Sequence, residues 1–318
     1  VNERLYVAGG STLLGRALLH QARASGRYHL VGLPGSEPDP TQPGQVDEFF
    51  AQVRPTQVIV AAGRSGGIGL NRDCPADLML DNLLSITHLL RAAHEHKVQR
   101  LLYLGSSCMY PVTAPQPLCV ESLLTGPLEP TSAAYATARL AGWQLCRAYQ
   151  QQYGDCFLMA IPTNSFGPHD DFTPQGGHVI PALMRRLHEA KVRQARSVTI
   201  WGSGRPRREF LYAPDLADAA LFVLQHHPGP EPINLGGGTD LSIAELAQAI
   251  ADVVGYAGEL HFDASQPDGA PRKCLEAGPL FALGWRPRTD FRVALDRTYR
   301  WFLERACREV RPHGSATV

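Results

Sequence analysis

The sequence predicts an α/β fold, a doubly wound parallel sheet with a smaller C-terminal lobe. Three observations point to it. Short apolar runs alternate with helical stretches between residues 4 and 162. The first run enters a glycine turn and then a helix. Several runs end in glycine or small polar residues, as parallel strands do where a ligand crevice lies at their carboxyl ends.

Arg4–Ala8 reads as the first strand, and the turn Gly9-Gly10-Ser11-Thr12-Leu13-Leu14-Gly15 leads into a helix, Arg16–Ala24. Strand, glycine turn and helix form the opening of a Rossmann-like dinucleotide unit, with a pyrophosphate at the helix start. Gly9, Thr12 and Gly15 occupy the three key positions of that turn, the middle one without its glycine. His29–Leu33 reads as the second strand. The segment after it, Pro34 to Pro40, holds three prolines and no arginine. Its Glu37 and Asp39 suit either a ribose hydroxyl or plain solvation. Val46–Val53 is a short helix, and Gln57–Ala62 a strand running into Gly63-Arg64-Ser65-Gly66-Gly67-Ile68. Ala76–Glu95 has the apolar stripe of a long helix, with Leu78, Leu83, Ile86, Leu89 and Leu90 on one side.

The apolar run Leu101–Leu104 stops at Gly105 and releases Ser106, Ser107 and Cys108. Tyr135 then opens a helix with Arg139 one turn on, on the same face. A hydroxyl, a thiol and a phenol thus meet at one sheet edge. Phe157–Pro162 is the next strand, ending in Thr163-Asn164-Ser165-Phe166-Gly167-Pro168-His169.

Beyond it the pattern loosens. A polar loop, 170–177, precedes His178-Val179-Ile180-Pro181 and a basic helix holding Arg185 and Arg186. The strand Val198–Trp201 runs into Gly202-Ser203-Gly204-Arg205-Pro206-Arg207-Arg208, whose three arginines suit a diphosphate. Pro267 to Lys273 is a second basic turn, and Pro214–Leu224, Ser242–Val254 and Phe291–Arg305 read as helices. The expected division is a Rossmann-type domain over 1–167, rejoined by a strand within 232–238, and a substrate lobe over 168–231 and 239–318.

Composition narrows the function. Of 318 residues, 44% are hydrophobic and 19% charged, as in an ordinary globular enzyme, and the formal net charge is zero. Nothing in that balance suits nucleic acid or an anionic membrane. No apolar run approaches the ~20 residues of a membrane helix. The N-terminus reads as a strand, not a signal peptide. Seven cysteines without paired spacing indicate reduced thiols and a cytoplasmic setting. Neither CxxC nor HExxH occurs, so no metal site is expected.

Taken together, GGI at 66–68, GSSCMYP at 105–111, LEPTSAAY at 128–135, PTNSFGPHD at 162–170, HVIPALMRR at 178–186, WGSGRPRREF at 201–210 and DASQPDGAPRK at 263–273 resemble the extended short-chain dehydrogenase/reductases. Within that superfamily the chain is similar to the GDP-L-fucose synthases. The resemblance implies a GDP-linked 4-keto-6-deoxy sugar as substrate, NADP(H) as cofactor and a homodimer, for which the 76–95 helix and the helix from Tyr135 offer apolar faces. It implies Ser106 as the catalytic hydroxyl, Tyr135 as the proton-transfer phenol, and Cys108 and His178 as the epimerisation pair. It implies GDP-sugar contacts at Asn164, Val179, Arg186, Trp201, Arg208 and Lys273. Cofactor contacts fall on Gly9, Thr12, Gly15 and Arg139.

The chain departs from the family on the cofactor side. The lysine of YxxxK is Arg139, the middle turn glycine is Thr12, its neighbouring arginine is Ser11, and the basic segment after the second strand is Pro34-Gly35. The expectation drawn from these four changes is an epimerase with its nicotinamide grip weakened or lost. The alternatives are a full bifunctional epimerase-reductase and a non-catalytic GDP-sugar-binding regulator.

Overall fold

The computed structural model describes residues 3–66, 68–173, 178–266 and 268–309. Residues 1–2, Gly67, residues 174–177, Pro267 and the tail from 310 lie outside the described residues. The first half of the chain runs β1 (Glu3–Ala8), α1 (Leu13–Ser25), β2 (Tyr28–Val31), α2 (Pro43–Val53), β3 (Gln57–Val60), α3 (Ile68–Asp73), α4 (Pro75–Glu95), β4 (Arg100–Leu104), α5 (Ala133–Tyr153) and β5 (Phe157–Pro162). The second half runs β6 (Asn164–Phe166), α6 (Val179–Val192), β7 (Ser197–Trp201), β8 (Arg207–Tyr212), α7 (Ala213–His226), β9 (Ile233–Leu235), β10 (Asp240–Ser242), α8 (Ile243–Val254), β11 (Glu259–Asp263), β12 (Arg272–Lys273), α9 (Gly278–Ala282) and α10 (Phe291–Glu309).

In β1, Leu5 and Val7 enter one core while Tyr6 and Ala8 enter another, and all four are buried. A strand apolar on both sides has to be covered on both faces, which is the reason for helices above and below. Phe50 of α2, Leu89 of α4 and Trp143 of α5 cover the Tyr6 face; Leu18 of α1 and Leu216 of α7 cover the Leu5 face. The sheet order is β2-β1-β3-β4-β5-β9, with every pairing parallel. The order reverses between β1 and β3, so a crevice opens at their carboxyl ends. β9, within 232–238, pairs parallel to β5 as the sixth strand of this sheet.

Element ends differ from the sequence expectation where a glycine or a cap intervenes. β2 stops at Val31 because Gly32 turns the chain with φ of +63°. α1 begins at Leu13, earlier than expected, because Thr12 caps it: its side chain accepts from the Gly15 N–H.

In the second lobe, β8 is flanked by β10 antiparallel and by β12 and β6 parallel, while β7 and β11 pair separately. Met184 of α6, Ile250 of α8 and Leu295 of α10 share its core. Glu209 of β8, fully buried, fastens this lobe to the sheet. Its Oε1 accepts N–H bonds from Gly237 at 2.6 Å and Gly238 at 2.9 Å, just past β9, and its Oε2 accepts from Leu275 at 2.9 Å, just past β12. Burial pushes its pKa up against the pull of these bonds. Glu209→Gln places an amide donor against a backbone donor. The expected loss is about 1–3 kcal/mol of unfolding free energy, read by urea denaturation; an unchanged midpoint contradicts the fastening role.

A candidate active site at the strand ends

The crevice begins with the glycine turn after β1. Gly9 has φ of +82°, and a Cβ there would stand 2.7 Å from the Ala62 Cα, so no other residue lets β1 and β3 close up at the reversal point. A Cβ at Gly15 would meet the Gly9 oxygen at 2.0 Å, which fixes α1 against the turn. Thr12 has φ of −70°, a conformation that needs no glycine. Its hydroxyl donates to the Gly9 oxygen at 2.8 Å and accepts from Gly15 N–H at 3.0 Å. The side chain is therefore folded into its own turn. Helix geometry leaves the Leu13 and Leu14 N–H groups without intrahelical acceptors, aimed out of the start of α1. After β2, the Glu37 carboxylate accepts from Gly10 N–H at 2.9 Å, and desolvation pushes its pKa up.

Arg139 lies buried beneath this crevice. Its Nη1 faces the carbonyl oxygens of Ala62 and Leu104, each at 3.3 Å, so the guanidinium ties the end of β3 to the end of β4. Its Cζ stands 5.2 Å from the Tyr135 ring centroid and 5.9 Å from that of Tyr103. Desolvation works against the charge, yet the two phenols hold its pKa above the ordinary arginine value. Room for the long side chain comes from Gly63, φ +127°, where a Cβ would meet Arg139 Nη2 and Asn82 Oδ1 at 2.4 Å each. Gly142 in α5 lets that helix sit on β4, since a Cβ there would stand 2.7 Å from the Tyr103 ring. The Nε of Arg139 is a buried donor without a partner among the described residues. With the Gly9 cradle and the open start of α1, that spare donor fits a dinucleotide.

Ser106 caps a 3₁₀ turn, Ser107–Met109, that follows β4, and its Oγ accepts from Cys108 N–H at 3.2 Å. Lys273 of β12 reaches across from the other lobe, with Nζ 3.6 Å from Cys108 Sγ. Burial raises the thiol's pKa, but the Lys273 ammonium and hydrogen bonds with Ser106, Lys273 and Ser132 outweigh it, and the net direction is down.

His178 caps α6 without using its ring for a cap bond. Its Nδ1 lies 3.9 Å from Oδ1 of Asp170, whose side chain is almost fully buried. The Asp170 carboxylate raises the imidazole pKa more than burial lowers it. The thiol and the imidazole thus shift toward each other, the thiol down and the imidazole up.

The remaining sequence-predicted residues ring the second lobe. Asn164 donates to the Glu209 carbonyl at 2.9 Å, pinning β6 to β8. Arg208 donates to the Ala270 and Arg207 carbonyls, and the Asp268 carboxylate acts on its charge without a salt bridge among the described residues. Arg207 is instead taken up by Asp240 and Glu245, at 2.8 and 3.2 Å, so at most Arg205 and Arg208, which share the nearby Asp268 carboxylate, remain for an anion rather than three arginines. Val179 begins α6, Arg186 is exposed, and the Trp201 side chain stands 71% exposed at the end of β7. Sequence reasoning assigned no role to Asp170, Ser132 or Glu209 and saw Gly63 only as a strand-end glycine, because the side chains each one serves are not its immediate neighbours in the chain. Among the described residues no group of three or more His, Cys, Asp or Glu is arranged to hold a metal ion.

Residues 5–236 match the model of the NAD-dependent epimerase/dehydratase family. The chain is 45% identical over 304 residues to GDP-L-fucose synthase 1 of Arabidopsis thaliana, covering 96% of this chain and 94% of that protein. It is 44% identical over 311 residues to the GDP-L-fucose synthase of Escherichia coli K12, covering 95% and 97%. A GDP-L-fucose synthetase of Naegleria fowleri, solved bound to NADP, superposes with a TM-score of 0.88 at 30% identity, covering 96% and 95%.

Gly63→Ala destabilises the fold by about 1–3 kcal/mol through overpacking. In an Arg139→Lys background the loss is smaller by about 1 kcal/mol, a coupling read from a double-mutant cycle; strict additivity contradicts the packing of Arg139 on Gly63. For His178, carbethoxylation followed by peptide mapping reports the neutral imidazole. The raised pKa keeps His178 protonated, and so unreactive, to higher pH than an ordinary histidine. Asp170→Asn moves that reactivity toward lower pH; superimposable profiles contradict the pairing.

Proposed function

Because this chain belongs to the NAD-dependent epimerase/dehydratase family, and within it to the GDP-L-fucose synthases, we propose that it is a bifunctional epimerase-reductase acting on GDP-4-keto-6-deoxy-D-mannose. The observation that carries the reading is the turn after β4, where Ser106 and Cys108 share one hydrogen-bonded cap beside the start of α5. The expectation of a lost reduction step gives way to the alternative. Thr12 is an ordinary helix cap, Arg139 fits its slot through Gly63, and the full-length similarity to GDP-L-fucose synthases carries no sign of a missing half.

The chemistry uses residue types suited to it. A 4-keto group acidifies the hydrogens at C3 and C5. Cys108, as thiolate, removes a proton and becomes a thiol, leaving an enolate whose C4 oxygen Ser106 and Tyr135 stabilise by hydrogen bonds. His178, as imidazolium, returns a proton to the opposite face and becomes neutral. No redox change occurs in this half. In the second half NADP(H), when bound, supplies the hydride to C4. The Tyr135 phenol delivers the proton to the C4 oxygen. Gly9, Thr12, Gly15 and Arg139 would hold the cofactor, and Arg139 keeps Tyr135 placed through the face of its ring. Asn164, Val179, Arg186, Trp201 and Arg208 are proposed to receive the GDP-sugar, with Arg208 toward the diphosphate.

The proposal extends to a homodimer through the outer faces of α4 and α5, where Leu80 stands 56% exposed, and to a cytoplasmic setting. The latter draws on the free cysteines among the described residues and on the absence of any helix there long and apolar enough to cross a membrane.

Incubation with GDP-4-keto-6-deoxymannose in deuterated water tests both halves. Without NADPH, label enters C3 and C5, and Cys108→Ser suppresses it. With NADPH, a 4-hydroxy product forms, and Tyr135→Phe slows its formation by about 10²–10⁴-fold. Label without reduction restores the epimerase-only alternative; neither label nor reduction leaves a binding protein.

A further inference from the structure

The reactive thiol and the cation beside it come from opposite lobes. Cys108 is held by the turn after β4, at the carboxyl ends of the main sheet, and Lys273 by β12, a strand of two residues paired to β8. So short a strand is held by what flanks it. Arg272, next to Lys273, pairs with the nearly buried Asp240 of β10, and Leu275 donates to the buried Glu209. The Leu118 N–H, from the loop between β4 and α5, donates to the Cys274 oxygen at 2.8 Å. Lys273 is therefore delivered to Cys108 by a braced segment, not by a free side chain swinging from a loop.

The groups that face the sulfur are Lys273 from β12, Ser106 from its own turn and Ser132 from the start of α5. Two hydroxyls and an ammonium are donors, a set that suits an anion at sulfur.

We propose that Lys273 is a positioning residue for the epimerisation base, holding Cys108 as a thiolate across the lobe boundary. This rests on the reading of Cys108 as that base. It changes the expected role of Lys273, from a contact to the GDP-sugar to the counter-ion of the thiol. When the thiolate accepts a proton from C3 or C5, the sulfur becomes neutral and Lys273 keeps its own proton, so the ammonium is left to face the enolate charge. The base is then assembled only while β12 is docked on β8, which makes its strength depend on the lobe that binds substrate.

The test needs neither substrate nor cofactor. Cys108 in the full chain is alkylated with iodoacetamide across a pH series and followed by peptide mass spectrometry, in the wild type, Lys273→Met and Lys273→Arg. Expected is a wild-type midpoint below that of the same peptide in the urea-unfolded chain. At pH 7, Lys273→Met should react about tenfold more slowly, the effect of removing one close opposite charge, and Lys273→Arg should recover most of the rate. A wild-type midpoint at or above the unfolded one overturns the proposal without any variant having to fold. So does a Lys273→Met profile that superimposes on the wild type. A low wild-type midpoint raised by Lys273→Met, in a protein that exchanges no deuterium into the sugar, upholds the pair and overturns only the epimerase reading.

Discussion

A buried guanidinium holds the centre of this molecule together. Arg139 carries its charge into the space below the strand ends with no carboxylate for a partner among the described residues. Two main-chain carbonyls and two phenol rings compensate for it. A buried charge left uncompensated costs several kcal/mol, so the carbonyls of Ala62 and Leu104 and the rings of Tyr103 and Tyr135 are constrained together. That constraint sets the spacing between β3 and β4 and the height of α5 above the sheet. It therefore places Tyr135, and the small residues around it follow. Gly63 makes room for the guanidinium and Gly142 for the Tyr103 ring. Arginine in place of the family's lysine reads, on this view, as a substitution the surroundings have absorbed.

The same logic governs the proposed acid–base pair. Proton transfer in both directions near neutral pH needs a base stronger in its charged form and an acid that keeps its proton. Here each partner has a charged neighbour of opposite sign, Lys273 for Cys108 and Asp170 for His178. Both neighbours are fixed by their own lobes rather than by the substrate. Glu209 stands behind one of them, since its bond to Leu275 braces the strand that carries Lys273.

Much of this was legible in the residues. Alternation of apolar runs and helices gave the parallel sheet, because burial on both faces leaves a signature in each strand. The GSSC turn and the Tyr135–Arg139 pair were visible because their spacing is local. What escaped was non-local. Thr12 looked like an obstacle in the phosphate turn, since a sequence carries no φ angle and cannot show a hydroxyl folded back on Gly9. Gly63 read only as one of the glycines at a strand's carboxyl end, open to a close approach by an unnamed group, since its purpose depends on a side chain 76 positions away. Arg207 looked like part of a diphosphate site until Asp240 and Glu245 claimed it. Asp170 pairs with a histidine eight positions on, and Glu209 meets Gly237, Gly238 and Leu275 only after the lobes have packed.

The central claim is that the cofactor side of the crevice is altered but intact. Calorimetric titration of NADPH into the full chain addresses it most directly, because binding is read apart from turnover. The account predicts saturable binding in the micromolar range usual for such ligands, weakened when Gly9→Ala closes the turn. No heat of binding up to millimolar NADPH, with GDP still bound normally, would contradict it.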